Sequence, residues 1–191
     1  MEDIIIREVY RSFGEKEVLH GFSARLQAGT ITGLMAPSGS GKTTLLRILM
    51  GLDRPQRGEI TGLDGLRVSA VFQEDRLCEN LNAAANIRLV TPTLTLETVE
   101  ASLQAVGLGD SSRQPVRELS GGQKRRVAIL RALLAQYDLL LLDEPFRGLD
   151  AATKQVVLTD TLTRCAGQTV LLVTHDPEEL DAMGVTNRLS L

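Results

Sequence analysis

The chain has 191 residues, of which 43 % are hydrophobic and 24 % are charged, with a formal net charge of −3. A chain of this length can bury one sizeable core, so we expect a single domain over residues 1–191. The acidic balance and an aromatic content of only 3 % exclude a typical nucleic-acid-binding surface, and we predict no nucleic-acid partner. No apolar run approaches the roughly 18 residues of a membrane span, and the acidic start is unlike a signal peptide. The sequence therefore predicts a cytoplasmic protein.

Hydrophobic patterns predict an α/β protein. The N-terminal strand patterns at 4–9, 18–19 and 58–60 favour an antiparallel β portion, and the region from about 80 to 135 is mostly helical in pattern. Further apolar runs fit strands of a core sheet that alternate with helices; they lie at 30–35, 66–72, 139–142, 170–173 and 188–191.

A glycine-rich loop separates the predicted strand at 30–35 from a helical pattern. The loop consists of Ala36, Pro37, Ser38, Gly39, Ser40, Gly41, Lys42, Thr43 and Thr44. Glycines allow backbone N–H groups to surround a phosphate, and the helix N-terminus adds partial positive charge. Lys42 would then reach the β- and γ-phosphates, and the Thr43 hydroxyl would ligate Mg²⁺. The strand, loop and helix together predict a nucleoside triphosphate site rather than an ordinary glycine-rich turn.

The first position of this loop is Ala36, where the usual pattern has glycine. The methyl group is harmless if the backbone angle φ is negative, but it would strain the loop if φ must be positive.

Four leucines at 139–142 precede Asp143 and Glu144. Such a run is typical of a strand that is buried on both faces, and open α/β sheets bind ligands at the carboxyl ends of their strands. Asp143 could hold Mg²⁺ through water, and Glu144 could orient and deprotonate an attacking water. Taken alone, the same pattern fits a core strand that ends in a solvated acidic turn.

The sequence Leu119-Ser120-Gly121-Gly122-Gln123 precedes an amphipathic helical pattern. Ser120 and Gln123 have the spacing of a capping box, and we interpret the basic residues of the helix as its polar complement; these are Lys124, Arg125, Arg126 and Arg131. A cap alone does not need two glycines, which lower helix stability and are useful where another group approaches the backbone. We therefore predict a second anion site at this helix N-terminus.

In order and spacing, these motifs resemble the nucleotide-binding subunit of ATP-binding cassette transporters, over essentially the whole chain. Four single residues extend the match, and the resemblance implies their roles. Phe13 would stack on adenine, Gln73 would sense Mg²⁺ and the membrane partner, Asp150 would communicate across a dimer, and His175 would contact the γ-phosphate. The implied fold is a P-loop NTPase core sheet with an antiparallel β portion and a helical subdomain at about 80–135. This subdomain would carry the family's signature sequence, which is Leu119-Ser120-Gly121-Gly122-Gln123 here.

The resemblance also implies partners. The family pairs two subunits head to tail, so Ser120, Gly121, Gly122 and Gln123 of one chain would cover ATP held by Lys42 of the other. We expect a second such subunit, with a homodimer favoured, a transmembrane permease and an extracytoplasmic substrate-binding protein. The chain would then be peripheral on the inner face of the membrane. The sequences at 72–77 and 143–146 resemble those of the ATP-binding subunits of nitrate, sulfonate and taurine importers.

Several alternatives stay open from the sequence. Phe13 could be a core residue, His175 a solvated loop residue, and Asp150 a simple helix cap. At the level of the protein, a cassette ATPase of DNA repair, translation or iron–sulfur assembly is the principal alternative. A single-site kinase or GTPase would leave the signature at 119–123 unexplained.

Overall fold

The structure is a computed structural model that describes residues 2–37 and 39–191. It contains two compact units. The first comprises residues up to Val68 together with Tyr137–Leu141 and Gly167–Leu191, and the second comprises Ser69–Gln136 and Leu142–Ala166. Ser38, which was predicted to belong to the phosphate loop, lies outside the described residues. The single domain over 1–191 stays a prediction.

The strands in chain order are β1 (Ile4–Phe13), β2 (Lys16–Leu26), β3 (Ile31–Met35), β4 (Arg57–Thr61), β5 (Val68–Val71), β6 (Leu139–Asp143), β7 (Thr169–Val173) and β8 (Asn187–Ser190). The helices are α1 (Lys42–Leu49), α2 (Ala83–Arg88), α3 (Leu96–Ala105), α4 (Gly121–Leu133), α5 (Ala151–Arg164) and α6 (Pro177–Ala182), with a short 3₁₀ helix at Val116–Glu118.

An antiparallel sheet has the strand order β2-β1-β4. Strand β1 pairs with β2 from Ile4 opposite Leu26 to Phe13 opposite Lys16. Apolar residues of β1 such as Ile4 and Ile6 are buried, as the alternating pattern requires of a sheet with one covered face. The predicted antiparallel portion is confirmed, with β1 and β2 longer than the sequence indicated.

A five-stranded sheet has the order β5-β6-β7-β3-β8. Strand β3 is parallel to both neighbours, with Leu34 opposite Val173 of β7 and Leu189 of β8. Every residue of β6 and β7 is buried, because both faces of a parallel sheet are covered. The predicted α/β fold, with a core sheet and an antiparallel β portion, is confirmed.

Helix α6 packs closely on strand β3 at Gly33. A Cβ atom at this position would lie 2.8 Å from Cδ2 of Leu180 and 2.9 Å from Cγ1 of Val185. Only glycine therefore allows this approach without a shift of the neighbouring side chains.

The second unit contains α2, α3, the 3₁₀ helix and α4. The regular structure described between 80 and 135 is therefore helical, as the sequence predicted. The start of this region is tied together by Asn86, which is fully buried. Its side-chain amide donates to the carbonyls of Cys78, Leu81 and Asn82, and its Oδ1 accepts from the Cys78 N–H. A buried amide that is satisfied in this way fixes the path of the chain into α2.

Within residues 2–37 and 39–191, none of the helices is both long and apolar enough to cross a lipid bilayer.

Candidate nucleotide site

The phosphate loop joins β3 to α1, as predicted. Gly41 is the N-cap of α1 with a φ of 101°, and it provides no side-chain bond to the first-turn N–H groups. A Cβ on Gly41 would lie 2.7 Å from the Val18 carbonyl oxygen, so this position requires glycine. The unpaired N–H groups at the start of a helix are suited to binding an anion.

Three side chains of this loop fit a phosphate ligand. Lys42 Nζ donates to the Ala36 carbonyl at 2.8 Å, which keeps the ammonium group over the loop. The Ser40 Oγ is buried and has no hydrogen-bond partner among the described residues. Burying a hydroxyl without a hydrogen-bond partner costs free energy unless a ligand or a water molecule forms a hydrogen bond with it. Thr43 lies in the first turn of α1 and is exposed.

Ala36 does not have the strained conformation that the sequence left open. Within residues 2–37 and 39–191, positive φ angles outside glycine occur only at Glu8, Arg76 and Glu144. Ala36 is 5 % exposed, so its methyl group is packed in a relaxed backbone.

The structure brings His175 to the same sheet edge as the phosphate loop. The Thr174 N–H donates to the Leu34 carbonyl at 3.2 Å, which joins the end of β7 to the end of β3. The Thr174 hydroxyl then donates to the Glu179 carboxylate at 2.6 Å and accepts from the Asp176 N–H at 3.1 Å. His175 itself is exposed. Its backbone is thus held by bonds on both sides.

Phe13 is at the end of β1, and 50 % of its surface is exposed, so it is not a core residue. The Arg11 guanidinium lies 4.7 Å from the centroid of the ring. Arg11 is itself held by Asp53 through contacts of 2.8 and 3.1 Å. An exposed ring that is supported by a cation can offer its other face to a planar ligand.

Asp143 and Glu144 lie at the carboxyl end of β6 in the second unit. Each is 8 % exposed, so the solvated-turn interpretation is wrong. Glu144 has a φ of 46°, a left-handed conformation that costs free energy for a residue with a Cβ. Such a conformation persists only where its surroundings hold it.

Arg125 of α4 holds this turn, so its predicted place in the polar complement of the helix was wrong. It is 5 % exposed, and it donates to the carbonyls of Asp143, Glu144 and Pro145. Arg125 lies four residues before Ile129, which is also buried. That i, i+4 spacing was the available signal that both residues share an inward face.

Arg125 also contacts the loop that contains Gln73. Its Nη1 donates to the Phe72 carbonyl at 2.5 Å and to the Asp75 carboxylate at 3.1 Å. Gln73 has an exposed side chain. The structure therefore brings the loop at 72–75 and the carboxylate turn at 143–145 together around one guanidinium, while Gln73 keeps its amide group accessible.

The signature forms a complete capping box. The Ser120 Oγ accepts from the Gln123 N–H at 3.3 Å, and Gln123 Oε1 accepts from the Ser120 N–H at 2.8 Å. A hydroxyl that accepts one bond still has a proton to donate. Ser120 and Gly121 are exposed, and a Cβ on Gly121 would meet nothing within 4 Å. The helix N-terminus is thus open to an approaching group.

Asp150 lies in the segment beside the signature. A Cβ on Gly122 would lie 3.7 Å from Cδ2 of Leu149, so the second signature glycine faces the chain just before Asp150. Asp150 is exposed and is the N-cap of α5, accepting from the Thr153 N–H at 3.0 Å. That bond is the main reason why the pKa of Asp150 is lowered. The predicted cap is present, and the residue remains at the surface.

The chain matches the family model described as ABC transporter over residues 19–147. It is 40 % identical over 180 residues to the aliphatic sulfonates import ATP-binding protein SsuB 1 of Paracoccus denitrificans, covering 92 % of this chain and 74 % of the relative. It is 43 % identical over 186 residues to SsuB 1 of Xanthomonas axonopodis, covering 88 % of this chain and 73 % of the relative.

Among solved structures, a bacterial Atm1-family ABC exporter with ATP bound superposes with a TM-score of 0.83 at 25 % identity. The match covers 94 % of this chain but only 35 % of the exporter chain. Together with the match to the family model, these likenesses show that the chain belongs to the ABC transporter family and is an ATPase of that family, as its motifs predicted.

Proposed function

We propose that this chain is the ATP-hydrolysing subunit of an importer for aliphatic sulfonates. The observation that carries the proposal is the 40 % identity, over 92 % of the chain, to a relative that is named for sulfonate import. The alternative of a cassette ATPase without transport is not favoured, because the relatives compared above are named as import proteins.

In this proposal, ATP is bound through its phosphates by the loop at 36–44. Lys42 would exchange its bond to the Ala36 carbonyl for the phosphates, and the buried Ser40 hydroxyl would gain a partner. Phe13 would stack on adenine with Arg11 behind it. His175 would contact the γ-phosphate, which is supported by the shared sheet edge of β3 and β7.

Thr43, Gln73 and Asp143 are proposed to hold Mg²⁺. Their hydroxyl, amide and carboxylate oxygens are the hard donors that this ion prefers, and Mg²⁺ usually needs few protein ligands because it keeps several waters. When bound, the ion would neutralise phosphate charge.

Glu144 is proposed to orient the attacking water and accept its proton. The residue is buried, and its flanking carbonyls are held by Arg125. A base that is fixed before the reaction does not lose free energy in finding its position during the reaction.

We further propose that the signature residues Ser120, Gly121, Gly122 and Gln123 act on ATP held by a second copy of this chain, with Asp150 at the contact. The open helix N-terminus and the exposed Asp150 support this arrangement. Mixing two inactive variants, Lys42→Ala and Ser120→Arg, tests it. If sites act independently, activity should return to about a quarter of wild type, because half the dimers are mixed and each has one intact site.

A groove in the second unit supports a permease as partner. It has a volume of about 480 Å³, and it is lined by Leu81, Ala84, Arg88, Leu89 and Leu96, among others. Leu89 is 56 % exposed and Leu96 is 48 % exposed, and exposed apolar side chains of this kind are suited to receiving an amphipathic helix. Docking there would place the chain on the inner face of the membrane.

Reconstitution tests the function directly. The chain would be purified with the permease and the substrate-binding protein encoded beside it, and placed in lipid vesicles. We expect ATP hydrolysis that rises when an alkanesulfonate is present with the binding protein, together with uptake of the sulfonate. Stable assembly without any response to sulfonates would contradict the substrate class and leave the transporter assignment in place.

A further inference from the structure

The guanidinium of Arg125 joins two loops on opposite sides. Its Nε and Nη2 donate to three consecutive carbonyls, of Asp143 at 2.9 Å, Glu144 at 2.7 Å and Pro145 at 2.7 Å. Its Nη1 donates to the Phe72 carbonyl at 2.5 Å and to Asp75 Oδ1 at 3.1 Å. Arg125 therefore contacts both the carboxylate turn at 143–145 and the loop at 72–75.

Only arginine can make this set of bonds. Its planar guanidinium carries five N–H donors in a fixed fork. A lysine ammonium has its three donors on one atom, so it cannot reach both loops with good geometry. The buried positive charge of Arg125 is balanced by carbonyl dipoles and by Asp75, whose side chain is 25 % exposed. Because one buried guanidinium bonds both the carboxylate turn and the loop at 72–75, its contacts favour a single arrangement of these two segments.

We propose that Arg125 is a positioning residue for ATP hydrolysis that couples the placement of the loop at 72–75 to the placement of Glu144. The coupling part rests on the proposed role of Glu144 as the base. Glu144 has a left-handed backbone that needs external support, and Arg125 bonds its own carbonyl and those of both neighbours. A displacement of the Phe72 or Asp75 partners would move the guanidinium and with it the turn that aims the Glu144 carboxylate.

The variant Arg125→Lys tests this, and Arg131→Lys is its matched control. Arg131 lies on the same helix and donates to the carbonyls of Arg76 at 2.8 Å and Asp75 at 3.0 Å. Both of these bonds reach the loop that Arg125 contacts, and neither reaches the carboxylate turn. We expect Arg125→Lys to lower kcat on the order of tenfold to a hundredfold with KM for ATP within about threefold. Arg131→Lys should keep kcat within about threefold of wild type.

Two outcomes would overturn the proposal. One is an equal loss of kcat in the two lysine variants, since that would reflect packing of the helix alone. The other is a rise in KM for ATP that accounts for the whole loss of kcat/KM in Arg125→Lys, which would indicate a binding defect.

A double variant asks whether Arg125 acts through Glu144. In single-turnover hydrolysis, adding Arg125→Lys to Glu144→Gln should change the residual rate by less than about threefold, because residues that act as a unit are not additive. A further loss as large as that in the wild-type background would overturn the coupling. If Glu144→Gln alone hydrolyses ATP normally, the proposed base is wrong, which is a separate result from the comparison of Arg125 with Arg131.

Asp75→Asn keeps the experiment decisive if Arg125→Lys does not fold. The asparagine preserves shape and keeps an oxygen that can accept from Nη1, but it removes the charge that anchors the guanidinium. We expect kcat to fall by at least about threefold with KM for ATP unchanged. Unchanged kcat in a folded Asp75→Asn protein would show that the loop does not control the turn, and the proposal would be wrong.

Discussion

The hydroxyl of Thr174 donates to the carboxylate of Glu179 at 2.6 Å, and both residues are buried. Since Thr174 directly precedes His175, this bond joins α6 to the backbone that presents the histidine. We predict that Glu179→Ala lowers the free energy of unfolding by about 1.5–3 kcal/mol, the range for hydrogen bonds to charged groups, and also slows ATP hydrolysis. Urea unfolding and steady-state kinetics measure the two effects.

The matched control for that prediction is Glu178→Ala. Glu178 is the preceding residue on α6 and is exposed, so its removal should change the free energy of unfolding by less than about 1 kcal/mol. Equal effects of the two substitutions would mean that the contact with Thr174 contributes nothing specific.

Glu144→Gln should keep ATP binding and lose most turnover, because the amide preserves the shape of the side chain but does not accept the proton of water. Binding is measured with a fluorescent ATP analogue and hydrolysis by phosphate release. Size exclusion should also show that ATP holds two variant chains together. Hydrolysis close to the wild-type rate would refute the role of Glu144.

Lys42→Ala and Ala36→Gly should have very different effects on nucleotide affinity. Losing the ammonium removes a charge-assisted contact worth about 1.5–3 kcal/mol, so the affinity for ATP should fall on the order of tenfold to a hundredfold. Ala36 has no positive φ to relieve, so a glycine there should change affinity little. A gain of more than about tenfold in Ala36→Gly, measured by equilibrium binding, would show that the alanine does impair the loop.

The groove at 81–96 should be the contact with the permease. A cysteine at Leu89 should crosslink to a co-expressed permease, whereas a cysteine at Leu52, which is 60 % exposed, should not. The background needs Cys78→Ser because that thiol is exposed. Cys165 can stay, because burial raises its pKa to about 12 and keeps the thiol protonated and unreactive. Crosslinking from Leu52 alone would place the partner on another surface.

Asp138 should add stability that depends on pH. Hydrogen bonds from the Arg67 side chain and backbone N–H lower the pKa of Asp138 from 3.8 to about 2. Because the folded pKa is below the unfolded value, the contribution is fully present above about pH 4 and is lost as the pH falls toward 2. The difference in unfolding free energy between wild type and Asp138→Asn should therefore become smaller as the pH falls from about 4 toward 2. Arg67→Met should remove the part of this pH dependence that comes from the arginine side chain and keep the part from the backbone N–H. A constant difference between wild type and Asp138→Asn down to pH 2 would contradict the assignment.

Residue patterns predicted the positions of the motifs because each motif is local. The glycine loop after β3, the acidic pair at the end of β6 and the capping box at Ser120 all depend on neighbours within a few residues. Such local geometry follows from spacing and residue type alone. The fold class was predictable for the same reason, since runs such as 139–142 indicate strands that are buried on both faces.

Arg125 was not predicted, because its partners lie about 20 and about 50 positions away in the sequence. A basic residue in an amphipathic helix is usually exposed, and the pattern alone does not reveal carbonyl groups that converge on it. The left-handed backbone of Glu144 was hidden in the same way. Nothing in its own side chain favours that conformation, which depends on tertiary contacts.

Gly33 has a consequence for interpreting inherited or engineered variants of this chain. The helix that rests against it at Leu180 also carries Glu179, and through Thr174 that residue holds the backbone before His175. An alanine at position 33 would have to displace the side chains of Leu180 and Val185, and a displacement that reached the backbone of α6 would disturb the contact between Glu179 and Thr174. The kinetics of the Gly33→Ala protein would then resemble those of a variant in which His175 is replaced. A screen that ranks positions by loss of activity would place this strand glycine among the residues that contact ATP, and only a measurement of folding stability would separate the two kinds of lesion.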